Sequence, residues 1–313
     1  MIELNLLKFL NIEFPLGEEN IISFVNTAPH RYKTYEILKK DGKNKRKIAQ
    51  PSKEVKLLQR SALKLLEPIL PIHDLAFAYT KNRSIKNNAM IHQNSKFILK
   101  TDLSNFFNSI TPKILLEQIR KTNISVSSKN EELVSNLFFW KETRKDGLKL
   151  SIGAPSSPLL SNFIMYNFDN KIVEVCKQYD CAYSRYADDI TISSSKNFYE
   201  LNFPLIIKKI LLEEFGESIK LNSNKTKYIS KAYHRNVTGI TITNDGSISI
   251  GSNNKRLLSS KIHHFKNNKI KDTNEIFKLK GQLSFAFHIR PQLKEQFEKK
   301  YGKDTIYKIL KYK

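Results

Sequence analysis

The sequence predicts an α+β fold of roughly two or three packed lobes, and three observations support this. The 313 residues include 40% apolar and 11% aromatic side chains, which is enough for a sizeable core. Through the middle of the chain, apolar strands and amphipathic helices follow one another as strand, helix, strand and strand. From Lys255 onward the pattern is helical.

The first half of the chain is predicted to contain a helical start, a charged hairpin, a helix, a strand and a second helix. Proline and glycine set the limits of these elements. In order, they are helix within residues 1–30, a hairpin of Tyr32–Leu38 and Arg46–Gln50 with a turn at Asp41-Gly42, a helix from Ser52, a strand at Phe97–Leu103, a helix from Pro112, and a loop over Asn123–Glu132.

The second half is predicted to contain a long apolar helix, a tight hairpin, another helix, more strands and the helical tail. The elements are a helix at Leu159–Val175, two strands within Tyr183–Ser193 that meet at Asp188-Asp189, a helix at Leu205–Phe215, strands at Lys227–Ser230 and Val237–Ile242, a hairpin turn at Asn244-Asp245-Gly246, and tail helices broken by the linker Asn267–Asn274.

The net charge of +23 arises from 53 basic and 30 acidic side chains. Eleven basic and three acidic side chains lie in residues 31–60, and sixteen and five lie in residues 252–313. Two basic segments around a nearly neutral centre indicate a clamp on a phosphate backbone. A merely soluble, lysine-rich surface is the alternative.

The two cysteines, Cys176 and Cys181, have no partners spaced for a zinc site and are expected to be apolar fillers of a reduced protein. The first residues lack a basic region followed by a small-residue cleavage site, and no apolar run is long enough to span a membrane. We therefore expect a cytoplasmic protein with no membrane partner.

Three carboxylates form the sharpest candidate site. Asp188 and Asp189 are adjacent at a predicted tight turn, where a divalent cation would relieve their repulsion. Asp102 ends a second apolar strand upstream. Together they could hold two metal ions about 3.5–4 Å apart, and magnesium is the expected ion. Alone, the pair could be an ordinary turn and Asp102 a strand-end cap.

Several strings in this sequence resemble motifs of reverse transcriptases, and some resemble those of the retron enzymes in particular. The palm-type strings are Asp102 within Asp-Leu-Ser-Asn-Phe-Phe, Gly153-Ala154-Pro155-Ser156-Ser157-Pro158, and Tyr186-Ala187-Asp188-Asp189; the retron-type strings are Asn88-Ala89-Met90-Ile91-His92, Val237-Thr238-Gly239, and Arg46-Lys47-Ile48-Ala49-Gln50-Pro51 with Lys56 and Gln59 beyond. The resemblance covers roughly residues 30–300.

This resemblance implies a right-hand polymerase with fingers, a ferredoxin-like palm and a small helical thumb. The corresponding parts are an N-terminal helical segment at 1–30, fingers with part of the palm at 31–100, palm at 101–250 and thumb at 251–313. It implies an RNA-directed DNA polymerase that copies one structured noncoding RNA. Priming from a 2′-hydroxyl would give a branched RNA–DNA product, with a role in defence against phage and room for an effector or toxin partner.

The resemblance also implies roles in binding the deoxynucleoside triphosphate. Arg46 and Lys47 would hold its triphosphate. Phe107, five residues after Asp102, would lie under the sugar and exclude a 2′-hydroxyl; core packing is the alternative. Gly153 and Ala154 would allow close approach of the backbone. Lys225 would protonate the leaving pyrophosphate, or it is a solvated surface lysine.

Recognition of the RNA is implied for two further groups. The element containing Asn88 and His92 is linked to recognition of the cognate RNA, although a lone histidine is more often a hydrogen-bonded structural residue. Lys255, Arg256 and Lys261 at the start of the tail would contact phosphates of the template or product.

Ser151-Ile152 stands where the family usually has Pro-Gln, which puts rate and fidelity in doubt but not the reaction. Two alternatives to a retron enzyme are considered. A group II intron-type enzyme would carry a maturase segment after the thumb, and the end at Lys313 leads us to expect none. A non-catalytic RNA-binding scaffold would keep the carboxylates only as an ion site.

Overall fold

A computed structural model describes residues 2–38 and 42–312. Of the predicted hairpin turn Asp41-Gly42, Asp41 lies outside the described residues, as do Lys39, Lys40 and the terminal Lys313. The helices are α1 Leu6–Glu13, α2 Glu18–Thr27, α3 Lys53–Leu66, α4 Ile85–Ile91, α5 Phe106–Ser109, α6 Pro112–Arg120, α7 Ser128–Phe138, α8 Ser157–Ile164, α9 Tyr166–Gln178, α10 Phe203–Phe215, α11 Ser252–Lys266, α12 Thr273–Ile289, α13 Gln292–Tyr301 and α14 Lys303–Leu310.

The strands form one larger sheet and several small ones. They are β1 Ile2–Glu3, β2 Tyr32–Leu38, β3 Lys45–Pro51, β4 Phe97–Ser104, β5 Ile124–Ser125, β6 Phe139–Trp140, β7 Lys149–Leu150, β8 Ala182–Tyr186, β9 Asp189–Ser194, β10 Lys220–Leu221, β11 Lys227–Ser230, β12 Arg235–Val237, β13 Ile240–Ile242 and β14 Ile248–Ser249. The mixture of helices and strands confirms the predicted α+β class.

The palm sheet consists of β4, β8, β9, β10 and β11. Its spatial order is β10-β4-β9-β8, with β11 also paired to β4, and all pairs are antiparallel. β10 and β11 both pair with the same edge of β4, so they count as one position in the sheet. The chain then runs β4, helices, β8, β9, α10 and β10/β11, and this last position lies beside the first. This is the ferredoxin-like arrangement that was predicted for the palm.

The two faces of the palm sheet pack against different layers because side chains alternate along a strand. On one face, Leu99, Tyr183 and Ile192 belong to the main core together with α9 and α10. On the other face, Ile98 belongs to a second core shared with α4, the small sheet β12–β14 and the tail helices. The catalytic candidates lie at one end of this second face.

The fingers hairpin, β2 and β3, pairs from Tyr32 opposite Pro51 to Leu38 opposite Lys45, which confirms the predicted hairpin. The Ser52 hydroxyl accepts a hydrogen bond from the Val55 amide and so caps α3. The buried side of α3 then packs against α1 and α7 in an N-terminal helical layer.

The thumb, α11–α14, is a small helical bundle, as predicted. Its core contains Leu258, Ile262, Leu283 and Phe297. Gly302, with φ +95°, separates α13 from α14 in a conformation that favours glycine. The predicted boundary at residue 100 falls inside β4. All of the predicted domain limits stay predictions.

Three local predictions were wrong. Part of the expected loop Asn123–Glu132 forms β5, which pairs in parallel with β1, and Ser127 caps α7 there. The expected single helix Leu159–Val175 is divided at Met165 into α8 and α9. The expected strand Val237–Ile242 is a hairpin, because Thr238 and Gly239 both have positive φ and form a two-residue turn. Within the described ranges, no helix is long and apolar enough to cross a membrane.

Candidate active site

A cleft of about 780 Å³ lies between the fingers hairpin and one end of the palm sheet. It collects most of the predicted catalytic and nucleotide-binding residues into one place. The predicted residues in its wall are Arg46, Lys47, Asp102, Phe107, Gly153, Ala154, Asp188 and Lys225. The sequence motifs, which span about 180 residues of chain, therefore meet at a single site.

Strand pairing places Asp102, Asp188 and Asp189 at the same end of the palm sheet. Asp102 of β4 lies directly opposite Asp189 of β9. Tyr186 pairs with Asp189, so that Ala187 and Asp188 form the two-residue turn between β8 and β9. Ala187 has φ +57°, an unusual value for a residue with a side chain, and such strain is common at active sites.

The electrostatics of this group favour a cation. Burial raises the pKa of Asp188 and Asp189, and neighbouring carboxylates, Asp102 among them, raise it further. The Asp102 carboxylate is buried, and one of its oxygens, Oδ1, has no hydrogen-bond partner. The other oxygen pairs with the Lys225 ammonium, whose pKa is raised by that hydrogen bond.

These residues fit a hard divalent cation. They supply carboxylate oxygens, they repel one another, and one buried oxygen lacks a donor. Among the described residues, no three His, Cys, Asp or Glu side chains are yet close enough together to hold a metal ion. The Lys225 ammonium lies against the second oxygen of Asp102.

Arg46 and Lys47 occupy opposite faces of β3. Arg46 shares its face with Ile48, which contacts Gly153 in the cleft, and Arg46 forms no ion pair within the described ranges. Lys47 instead pairs with Glu142. The structure therefore leaves Arg46 free to bind a triphosphate, whereas Lys47 would first have to leave Glu142.

Gly153 packs against the fingers hairpin. A Cβ atom at this position would lie 3.0 Å from the Ala49 carbonyl oxygen, and φ is +127°. The unusual Ser151 joins the same contact: its hydroxyl donates to the Ala49 carbonyl at 2.9 Å and accepts from the Ala154 amide at 3.1 Å. The Ile152 carbonyl accepts from the Ala49 amide. Ser151-Ile152 thus joins the cleft loop to β3.

Phe107 is half-buried in α5 and contributes to the cleft wall, while Phe106 beside it is buried in the core. Phe107 therefore combines the predicted cleft position with some core packing. The ring of Tyr79, which sequence analysis did not single out, lies next to it in the same wall.

A buried hydrogen-bond network next to the Ala187-Asp188 turn was also missed. The Arg185 guanidinium, 0% exposed, donates to both Asp169 oxygens at 2.8 and 2.6 Å and to the Ala187 carbonyl at 3.0 Å. The Tyr183 hydroxyl donates to Asp169 at 2.6 Å. The sequence did contain a signal for this network: Arg185 is a charged residue inside an apolar strand, directly before Tyr186.

A direct RNA contact by Asn88 or His92 is contradicted by their burial, with 1% and 0% exposure. Both nitrogens of His92 hydrogen-bond at 2.7 Å to the hydroxyls of Ser184 and Ser193 on the palm sheet. The Asn88 amide donates to Thr238 at 3.3 Å. The Asn-Ala-x-x-His and Val-Thr-Gly elements therefore contact each other through Asn88, while His92 joins the end of α4 to the palm sheet.

The three predicted basic residues of α11 point in different directions. Lys255 donates to Gln296 on α13, and Lys261 donates to Gln282 on α12. Arg256 is exposed and lies near Lys300. At 100° per residue the three cannot share one face, so they would not all contact a single phosphate strand.

A family model described as reverse transcriptase (RNA-dependent DNA polymerase) matches residues 37–242. The chain is 42% identical over 283 residues to the retron Ec83 reverse transcriptase of Escherichia coli, with 90% of each chain covered. It is 30% identical to the retron Ec73 and retron Ec86 reverse transcriptases of that species, over 91% and 94% of this chain and 92% and 89% of theirs.

Among solved structures, telomerase from Candida albicans aligns with a TM-score of 0.51 at 13% identity, over 94% of this chain and 59% of that chain. This likeness supports the right-hand polymerase fold with fingers, palm and thumb. The family match and the retron relatives show that the chain belongs to the reverse transcriptases of the retron kind and is an RNA-directed DNA polymerase.

Proposed function

We propose that this reverse transcriptase copies one structured noncoding RNA into DNA with two Mg²⁺ ions held by Asp102, Asp188 and Asp189. The metal proposal is carried by the strand register, which places Asp102 opposite Asp189 and beside the Asp188 turn, and by the buried, unpartnered oxygen of Asp102 in a cleft with basic walls. When bound, the ions would lower the pKa of the attacking hydroxyl and neutralise charge on the pyrophosphate.

The residues of the cleft supply the remaining steps. Arg46 orients the incoming triphosphate through paired hydrogen bonds. Phe107 lies under the deoxyribose and excludes a 2′-hydroxyl. Lys225 leaves Asp102 when the site is loaded, and its ammonium then donates a proton to the departing pyrophosphate. Lys47 joins the triphosphate only after Glu142 releases it.

Selection of the cognate RNA is proposed for the surface over the junction of α4 with the Thr238-Gly239 turn. The buried Asn88 and His92 hold this surface in shape, and Met90 and Ile91 are exposed on it, at 42% and 38%. Exposed side chains on a fixed scaffold suit the recognition of RNA loops and shape.

The product is proposed to be a branched RNA–DNA molecule, primed from a 2′-hydroxyl of the RNA and used in defence against phage, with an effector or toxin protein as partner. Sequencing nucleic acid that co-purifies with the protein should identify one RNA and its attached DNA. After digestion of the RNA, a ribonucleotide should remain on the DNA 5′ end. A free 5′ end would contradict the priming proposal.

Substitution of the carboxylates tests the metal proposal. Asp188→Asn or Asp102→Asn should reduce Mg²⁺-dependent deoxynucleotide incorporation below about 10% of wild type, because each removes a metal ligand worth several kcal/mol in the transition state. Binding of the RNA should be nearly unchanged. Asp180→Asn is the matched control, since Asp180 is exposed and has φ +52°, which asparagine tolerates.

An active Asp188→Asn enzyme would refute the assignment. Unchanged RNA binding with lost incorporation also separates a polymerase from an RNA-binding scaffold.

For RNA selection, Met90→Ser should abolish synthesis on the cognate RNA and preserve extension of a generic primed template. Equal losses on both templates would make this surface structural.

A further inference from the structure

Tyr79 is a large aromatic residue that the protein exposes inside its own active-site cleft. Its side chain is 56% exposed, and it lies in the cleft wall with Phe107 and Asp188. An exposed aromatic residue gains little from core burial at such a position. The ring is therefore available to a ligand of the cleft.

The backbone at Tyr79 is held in an unfavourable conformation. Its φ is +61°, a left-handed value that is rare for a residue with a bulky side chain. The preceding residues are fixed from below: the Phe77 amide donates to the Arg185 carbonyl at 2.8 Å, and the Asn162 side-chain amide donates to the Ala78 carbonyl at 2.8 Å. Strain of this kind persists where neighbours enforce it, often at functional sites.

The ring of Tyr79 meets the ring of Phe107 nearly edge to face. Their centroids are 6.5 Å apart and the planes are inclined by 68°, within the favourable range for an aromatic pair. On its other side, Phe107 contacts Phe106, which is buried in the core. Phe107 is thus held between a fixed core ring and the ring of Tyr79.

We propose that Tyr79 is a positioning residue for sugar selection: its ring holds Phe107 in the orientation that excludes a 2′-hydroxyl. This inference rests on the proposed role of Phe107. The strained backbone at Tyr79 orients its ring toward Phe107. Removing the ring would allow Phe107 to move aside, so that a ribonucleotide could enter.

The test compares kcat/KM for a deoxynucleotide and the matching ribonucleotide on a generic primed template. Tyr79→Asn removes the ring and tolerates the positive φ, so the melting temperature should be unchanged or higher. The preference for deoxynucleotide should fall about two- to tenfold, the equivalent of one lost aromatic pair. Tyr79→Phe should keep the wild-type preference.

Tyr199→Asn is the matched control, because Tyr199 is 65% exposed, makes one aromatic contact and does not line the cleft. If Tyr79→Asn does not fold, Tyr79→Gly offers the same test without backbone strain. An unchanged preference in either folded variant overturns the inference.

A double-mutant cycle with Phe107→Val distinguishes this inference from the role of Phe107 itself. If Tyr79 acts through Phe107, Tyr79→Asn should add nothing to Phe107→Val. Additive effects would overturn the inference. If Phe107→Val alone leaves the sugar preference unchanged, the proposed sugar gate fails. If Phe107→Val lowers the preference and Tyr79→Asn does not, only the role of Tyr79 fails.

Discussion

His92 should make the stability of the protein sensitive to mild acid. The ring is fully buried, and both of its nitrogens contact serine hydroxyls. Burial lowers the pKa of His92 to about 3, whereas the unfolded chain has a histidine pKa of about 6.5. Between these values the unfolded state binds a proton that the folded state does not bind, so stability falls as the pH falls.

The magnitude follows from the two pKa values. At pH 7 His92 is neutral in most molecules of both states, and its protonation costs almost nothing. At pH 5 the unfolded imidazole is about 97% protonated while the folded one stays neutral, and the free energy of unfolding decreases by about 2 kcal/mol. The decrease would grow toward about 5 kcal/mol below pH 3.

The assay is urea unfolding at pH 7, 6 and 5, followed by the fluorescence of the one tryptophan, Trp140, which is buried. His92→Gln removes the titrating group. The difference in free energy of unfolding between wild type and variant should shift by about 2 kcal/mol in favour of the variant from pH 7 to pH 5. The raised pKa of Asp188 and Asp189 acts in the opposite direction but is common to both proteins.

The exposed His30 provides the control: His30→Gln is unfolded in the same pH series to report the effect of replacing a surface histidine. A difference between wild type and His92→Gln that does not change with pH would refute the reasoning. It would mean that the folded protein accepts a proton on His92, through water entry or movement of the serines.

Three further predictions concern the buried network, the cleft loop and the thumb. Asp169→Asn should lower the free energy of unfolding by about 3–5 kcal/mol, because the buried guanidinium of Arg185 loses its carboxylate; a loss under about 1 kcal/mol in urea unfolding would contradict this. Ser151→Ala should lower the free energy of unfolding by about 1–3 kcal/mol and raise the KM for deoxynucleotide. An unchanged KM in steady-state kinetics would exclude a role of Ser151 in the cleft. Charge reversal at Lys255 and Arg256 should reduce the salt dependence of primer–template binding by about one phosphate contact per residue involved, and an identical slope would place the duplex elsewhere.

The sequence by itself determined the fold class, the fingers hairpin and the strands that carry the carboxylates. These features depend on local periodicity and on turn residues, which neighbouring positions reveal without knowledge of distant contacts. Strand ends at Asp102 and Asp188-Asp189 were enough to predict that these residues lie at the same end of one sheet. The chemistry, by contrast, was predicted from the resemblance of the motifs to those of reverse transcriptases, and the family match confirms it.

The tertiary structure alone decided which partner each side chain has. Lys225 contacts Asp102 across 123 residues, and Lys47 contacts Glu142 across 95. Asn88 and His92 are buried because α4 packs on the palm sheet. The sequence of a seven-residue helix does not reveal that contact. Burial and ion pairing depend on which distant segments pack together, and local periodicity carries no information about that choice.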